Sequence, residues 1–261
     1  MSESIIQQVN IIRIKGGQTI RMADAIIDEE LLTIVVNGKK EFEMIFSNVS
    51  GSELAAGFLF TQSVVSDRSD ITKMEWDDTA HTCRISLSDA ALVRLRQMGK
   101  NRPVKGSSGG AMLFSNNDNE KTIPDSAFRV PSARVLQLIG QHRDASGRFE
   151  ETGALHSAGL CTPNGLTDYF EDIGRHNAVD KLAGSILLNQ TDPSDKIATL
   201  SCRMSLEIIG KIIKTRIPVV ISNAAPTLSA VRLAEKAGLT LIGFARENRF
   251  NIYTHPERIL F

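Results

Sequence analysis

Between residues 197 and 244, short apolar runs alternate with amphipathic stretches, and this alternation limits the fold more than any other feature of the chain. Ile197 to Leu200, Ile217 to Ser222 and Leu239 to Phe244 have the length and β-branched content of buried strands. Met204 to Lys214 places Ile208, Ile209, Ile212 and Ile213 on one helical face, and Thr227 to Ala237 reads as a helix closed by Gly238. Phe250 to Tyr253 is a last short strand. Strand, helix, strand, helix, strand with short links predicts an α/β domain, a mostly parallel sheet covered by helices. Such sheets bind their ligands beyond the carboxyl ends of the strands.

Ser201, Cys202 and Arg203 follow the first predicted strand. Ser222, Asn223 and the helix opening Ala224-Ala225-Pro226-Thr227 follow the second, and Arg246, Glu247, Asn248 and Arg249 follow the third. Hydroxyls, free helix N–H groups and arginines on one edge suit a phosphate-bearing ligand. Each piece also has a structural use, Thr227 as a helix cap and Arg246 and Arg249 as turn residues. A second dense stretch, EDIGRHNAVDK at 171–181, sets Asp172, Arg175, His176, Asn177, Asp180 and Lys181 where a helix begins. The apolar pairs Ala178/Val179, Leu182/Ala183 and Ile186/Leu187 give that helix a buried face. His176 and Asp180 are one turn apart, as are Asn177 and Lys181. His156, in the small-residue segment TGALHSAGL, is either a hydrogen-bonded core residue or a companion to His176. The expectation is one pocket, with EDIGRHNAVDK as one wall and GFARENR as the phosphate-binding wall.

Residues 1 to about 100 read as β-rich with two short helices. Leu31 to Val36, Asn37-Gly38 and the alternating Phe42, Met44 and Phe46 predict a hairpin. A helix opens at Ser52, strands cover Ile71 to Trp76 and Thr82 to Leu87, and Asp89 caps a second helix. From Ala91 to Asn117 there is no acidic residue, and KGSSGG at 105–110 reads as either a solvated loop or a flexible arm that meets an anionic partner. This divides the chain into a β-rich part, 1–125, with a basic Gly/Ser loop at about 100–118, and an α/β cofactor-binding domain, 126–261.

Thirty basic residues balance thirty acidic ones, which gives no reason to expect nucleic acid or an acidic membrane as a partner. No apolar run approaches the roughly 20 residues of a membrane span, and a signal-peptide pattern is absent, so a cytoplasmic location is expected. The three cysteines, Cys83, Cys161 and Cys202, form no C-x-x-C, which fits reduced thiols and leaves no zinc-deaminase pattern. No zinc or other metal site is expected. Neither a Walker loop nor a G-x-G-x-x-G after a strand is present.

TGALHSAGL at 152–160, EDIGRHNAVDK at 171–181, the serine and arginine of SCR at 201–203, SNAAPT at 222–227 and LAEKAGLTLIGFARENRFNIYTHPERI at 233–259 resemble the FdhD/NarQ family of formate dehydrogenase accessory proteins. The resemblance implies a cytidine-deaminase-like, three-layer α/β fold without the deaminase zinc, in a homodimer. It also implies a carrier that takes sulfur as a persulfide from a cysteine desulfurase. The sulfur goes to the molybdenum bis(molybdopterin guanine dinucleotide) cofactor before that cofactor enters formate dehydrogenase. The stretch matching the family's cofactor site is Phe244, Ala245, Arg246, Glu247, Asn248 and Arg249. Ser201, Arg203, Ser222 and Thr227 would complete the rim, and His156, Asp172, Arg175, His176, Asn177 and Asp180 would shape it. Sulfur-carrying members have Ser-Cys-Gly-x-Cys-Gly in a loop, and the matching residues here run from Ser108 to Leu113, with Gly109 and Met112 at the cysteine positions. A persulfide needs a thiolate, so no catalytic residue carries over. The alternatives are a sulfurtransferase using Cys202, whose thiol pKa the neighbouring Arg203 would lower, or Cys161, and a cofactor or guanine-nucleotide carrier with no transfer activity.

Overall fold

The computed structural model describes residues 5–98, 104–105, 111–112, 123 and 127–261. The first part carries β1 (Ile6–Lys15), β2 (Gln18–Ile27), β3 (Glu30–Val36), β4 (Lys39–Phe46), α1 (Gly51–Thr61), β5 (Ile71–Asp77), β6 (Thr82–Leu87) and α2 (Asp89–Met98). Two short pieces, β7 (Val104–Lys105) and β8 (Ala111–Met112), pair antiparallel. Gly109, the residue matched to the family's persulfide position, lies outside the described residues, as does most of the basic Gly/Ser stretch. Next come β9 (Val130–Pro131), α3 (Ser132–Asp144), α4 (Gly147–Thr152), β10 (His156–Thr162), β11 (Gly165–Asp172) and α5 (Arg175–Leu188). The chain ends with β12 (Ile197–Leu200), α6 (Leu206–Thr215), β13 (Val219–Ser222), α7 (Leu228–Ala237), β14 (Thr240–Arg246), β15 (Arg249–Thr254) and β16 (Ile259–Leu260).

The alternation at 197–244 forms the parallel centre of a six-stranded sheet of order β11-β10-β12-β13-β14-β15. Strands β10 and β15 run antiparallel to that centre. The apolar faces of α5, α6 and α7 cover one side, burying Leu182, Ile208, Ile212 and Ala234 against Leu160, Leu200 and Val220. On the other side α3 places Val135, Leu138 and Ile139 on Ile197, Ile221 and Ile242. The result is a three-layer α/β architecture. Its helix starts follow local chemistry: Ser205 accepts from the Ile208 amide at 3.4 Å and Thr227 from the Ala230 amide at 3.3 Å. Gly238 ends α7 at φ 78°, in the left-handed region that glycine enters freely.

A second sheet, β4-β3-β6-β5, packs on α1 and α2 around Leu32, Ile34, Phe46, Leu59 and Ile85. The β3–β4 turn has Asn37 and Gly38 both at positive φ, as the Asn-Gly pair demands. Two details differ from the sequence reading. Helix α1 begins at Gly51, preceded by Ser50 in the left-handed region, and not at Ser52. Helix α2 is capped by Ser88, whose hydroxyl accepts from the Ala91 amide at 3.2 Å, so Asp89 becomes a first-turn acid. Strand β3 also pairs in parallel with β6, which joins the two expected strand pairs into one sheet.

The two parts meet where α1 lies along α5. Gly57 faces the Asp180 carbonyl and Gly184 faces the Glu53 carbonyl, so closely that a Cβ on either would fall 1.8 or 1.9 Å from that oxygen. Glycine lets the helix backbones touch. Beside this crossing, Lys181 and Asp172 form a fully buried pair at 2.7 Å. Lys181 also donates to the Glu171 carbonyl at 2.8 Å and to the Ser47 carbonyl at 3.3 Å, tying α5 and β11 to the end of β4.

Candidate functional site

At the carboxyl ends of β12 and β14 a cleft of about 450 Å³ opens beneath α3 and α4. Of the sequence-predicted residues, Ser201, Ala245, Arg246, Glu247 and His156 line it, together with Asn223. Phe244 sits at φ 52°, an uncommon conformation for a large side chain, in a bulge where the β14–β15 register shifts. Its amide donates to the Ala224 carbonyl at 3.1 Å, and the bulge sets the Arg246 guanidinium 5.9 Å from the Phe244 ring. The turn continues through exposed Glu247 and Asn248 to exposed Arg249, which pairs across the ladder with Arg246. Arg203 is exposed beyond β12.

Two rim candidates are committed to local bonds. Ser222 is buried, donates to the Cys202 carbonyl at 2.8 Å and accepts from the Ala224 amide at 3.0 Å. Thr227 caps α7. Ser201 accepts from the Ser157 amide at 2.8 Å.

Sequence reasoning missed His142, which lines the same cleft. It is buried between Thr199 and Ser157, with Nδ1 and Nε2 each 2.8 Å from a hydroxyl oxygen, and burial pushes its pKa down to about 4. A neutral imidazole thus pins α3 to β10 and β12. The signal was present: His142 follows Leu138 and Ile139 at helical spacing on the face of α3 that meets the sheet.

A second, larger cleft of about 840 Å³ lies between β4, α1 and the starts of α5 and α6. Arg175, His176, Asn177 and Asp180 line it, as the EDIGRHNAVDK reading expected, and so do Glu207 and Lys211 of α6. Asp180 pairs with Lys211 and accepts from the Thr61 hydroxyl at 2.6 Å; burial raises its pKa against the pull of Lys211. His176 is driven down to about 4 by burial, then by the nearby Lys211 and Arg175 charges. Asp172 does not line the cleft. Its Oδ1 accepts from the Gly174 amide at 2.8 Å and from the Asn177 side chain at 2.9 Å, while its Oδ2 holds Lys181.

The expected single pocket is therefore two clefts that share His156. That residue opens β10 opposite Asp172 in the ladder, and its pKa is lowered by burial and by Arg175. The contributions of Phe42, Phe58 and Gln62 to the larger cleft were not legible locally, because they come from elements more than a hundred residues away in sequence.

All three thiols are interior. Burial pushes Cys202 and Cys161 up to about 11 and Cys83 to about 12. The expected lowering of the Cys202 thiol by Arg203 is overturned: Arg175 and Arg203 both pull it down, but burial outweighs them. Among the described residues no group of three or more His, Cys, Asp or Glu side chains could hold a metal ion, and no helix is long and apolar enough to cross a membrane.

Polar side chains gather at strand ends and helix starts around two adjoining clefts on a three-layer α/β frame. The FdhD/NarQ family model matches residues 27–260, and the chain belongs to that family. Similar relatives include the sulfur carrier protein FdhD of Bacillus licheniformis, 33% identical over 263 residues and covering 100% of both chains. The protein of the same name from Sulfolobus acidocaldarius is 34% identical, over 97% of this chain and 98% of its own. The crystal structure of a protein described as a formate dehydrogenase accessory protein from Desulfotalea psychrophila superposes with a TM-score of 0.82 at 24% identity, over 98% of this chain and 100% of that one.

Proposed function

We propose that the protein serves the maturation of a molybdoenzyme of the formate dehydrogenase type by binding the molybdenum bis(molybdopterin guanine dinucleotide) cofactor as cargo, in the cytoplasm and as a homodimer. The observation that carries this reading is the strained strand-end turn. The bulge at Phe244 presents Arg246 at the mouth of the smaller cleft, where Arg143 also lies, and Arg249 stands across the ladder. Guanidinium groups that fork onto phosphate oxygens are the chemistry a pyrophosphate linkage needs. The larger cleft, joined at His156, leaves room for the rest of an extended ligand.

The relatives are named sulfur carriers. In this chain the loop positions Gly109 and Met112 carry no thiol, and the buried Cys161 and Cys202 are not presented to a desulfurase. This favours cargo binding over a persulfide relay within the chain. Replacing Arg246 and Arg249 together with alanine is expected to weaken GDP binding at least tenfold at fixed salt. Unchanged affinity refutes the phosphate assignment. Mass spectrometry of the purified protein's bound small molecules is expected to find a guanine-containing pterin. Intact-mass analysis after incubation with a cysteine desulfurase and cysteine is expected to find no added sulfur, and sulfur on either thiol reinstates transfer.

A further inference from the structure

The β1–β2 hairpin is built as an arm. Gly16 and Gly17 turn it at φ 58° and 78°, and the ladder runs unbroken from Lys15 opposite Gln18 at the tip to Ile6 opposite Ile27 at the base. No third strand joins it among the described residues, and its base packs on the body where Ala25 is buried and β2 meets α4. The family model starts at residue 27, so the arm lies outside the residues it matches.

A lone two-stranded ribbon is marginal in water unless a face of it is covered. The register shows which face lacks its cover. Val9, Ile11 and Arg13 of β1 share a side with Ile20, Met22, Asp24 and Ile26 of β2, because partners across the ladder face the same way and side chains alternate along each strand. Val9 is 46% exposed, Ile20 40%, Met22 36% and Ile26 44%. These side chains form an apolar stripe along a ribbon roughly 33 Å long.

The charges around the stripe say what covers it. Residues 5–23 contain no acidic side chain and residues 22–38 no basic one. The tip, with Arg13, Lys15 and Arg21, is therefore positive, and the base, with Asp24, Asp28, Glu29 and Glu30, is negative. On the apolar face itself, Arg13 and Lys15 stand at the tip and Asp24 stands towards the base. A surface that carries its complement at its own far end fits a copy of itself turned about a two-fold axis. With the two ribbons antiparallel, each tip lies on the other's base and stripe lies on stripe.

We infer that a second copy of this chain docks on the β1–β2 arm, face to face and antiparallel, through Val9, Ile11, Ile20, Met22 and Ile26, with Arg13 and Lys15 of each copy meeting Asp24 of the other. This gives the homodimer of the proposed function its interface and takes nothing from the cargo-binding reading.

The test follows the oligomeric state of the full chain by light scattering and sedimentation over a concentration series at fixed low salt. Wild type is expected to dimerise. Val9→Asp and Met22→Asp are each expected to weaken the dimer by roughly tenfold or more while keeping the wild-type circular dichroism. Ile12→Asp changes a more exposed apolar residue on the opposite face and is expected to leave the dimer intact. A tip-reversed chain, Arg13→Glu with Lys15→Glu, and a base-reversed chain, Asp24→Lys, are each expected to dimerise poorly alone and to pair with each other when mixed. A monomeric wild type overturns the inference together with the homodimer. A dimer that Val9→Asp, Met22→Asp and both charge reversals leave intact, or that Ile12→Asp weakens equally, overturns the arm assignment and leaves the homodimer to another face. GDP binding, read on the same variants, is expected to match wild type, and its absence from wild type strikes the cargo reading alone.

Discussion

The glycine crossing between α1 and α5 predicts that Gly184→Ala destabilises the protein, although alanine is the better helix former. A methyl at Gly184 would stand 1.9 Å from the Glu53 carbonyl oxygen and 2.9 Å from the Gly57 amide nitrogen. Non-bonded heavy atoms settle at about 3.5 Å, so the helices must separate by roughly 1.5 Å. The obstructing atoms are main chain and have no rotamer to change. Overpacking a well-packed contact costs about 1–3 kcal/mol, and a backbone obstacle places this case at the upper end or beyond. Against it stands the roughly 1 kcal/mol that alanine gains over glycine inside a helix. The expected net loss is about 2 kcal/mol or more, read as a lower urea midpoint at unchanged slope. Gly140→Ala is the control: it also lies within a helix, α3, and nothing stands within 4 Å of its added Cβ. That variant is expected to gain about 0.5–1 kcal/mol. The reasoning is refuted if Gly184→Ala matches or exceeds wild type, or if both variants shift alike.

Lys181→Met leaves Asp172 as a buried charge without its cation and is expected to cost about 3–5 kcal/mol in urea unfolding. Adding Asp172→Asn should recover part of that loss; a double variant no better than the single contradicts the pairing argument. For pH, His142 and His176 have folded pKa values of about 4 against 6.5 ordinarily, so the unfolded chain takes up protons first. Their contribution is fully present above pH 6.5 and is lost as pH falls towards 4, on the order of 3 kcal/mol for each. Stability measured across that window should fall on acidification, and fall less in His142→Gln; a flat profile excludes the neutral buried state. Disulfide-exchange labelling is expected to find Cys83, Cys161 and Cys202 unreactive in the native protein and reactive in guanidinium chloride, whereas a fast native thiol would show that one is presented.

The parallel centre of the large sheet was legible because its strands and helices each bury a continuous apolar face, so local pattern and tertiary role agree. The hairpin of β10 and β11 was not. Its small residues, Ser157, Ala158 and Gly159, look like a loop open to a ligand, yet Gly159 pairs with Thr199 in the ladder and has no room for a side chain, since a Cβ there would meet Thr199 Oγ1 at 2.5 Å. The small residues admit a neighbouring strand's hydroxyl and the His142 ring. The β1–β2 hairpin escaped notice for a different reason: its apolar residues, among them Ile12 and Ile14, remain largely exposed, so no burial pattern marks a face. Two clefts in place of one pocket could not be read either, since the walls of the larger come from β4 and α1, and only the fold brings these to α5 and α6.

EDIGRHNAVDK shows how one short stretch serves both structure and site through helical spacing alone. Asn177 and Lys181, one turn apart, share one face of α5, where both bind the Asp172 carboxylate and reach the end of β4, Asn177 through the Ile45 carbonyl at 2.9 Å. His176 and Asp180, also one turn apart, point to α6 and the larger cleft beside Glu207 and Lys211. The crossing that brings Gly57 onto the Asp180 carbonyl is continued by Thr61, which donates to the Asp180 side chain at 2.6 Å. Asp172 and Lys181 do not line the larger cleft, whereas Asn177 does, so the carboxylate that Asn177 shares with Lys181 ties the cleft wall to the buried pair. One stretch of eleven residues thereby holds both the buried pair and several of the groups that line the cleft.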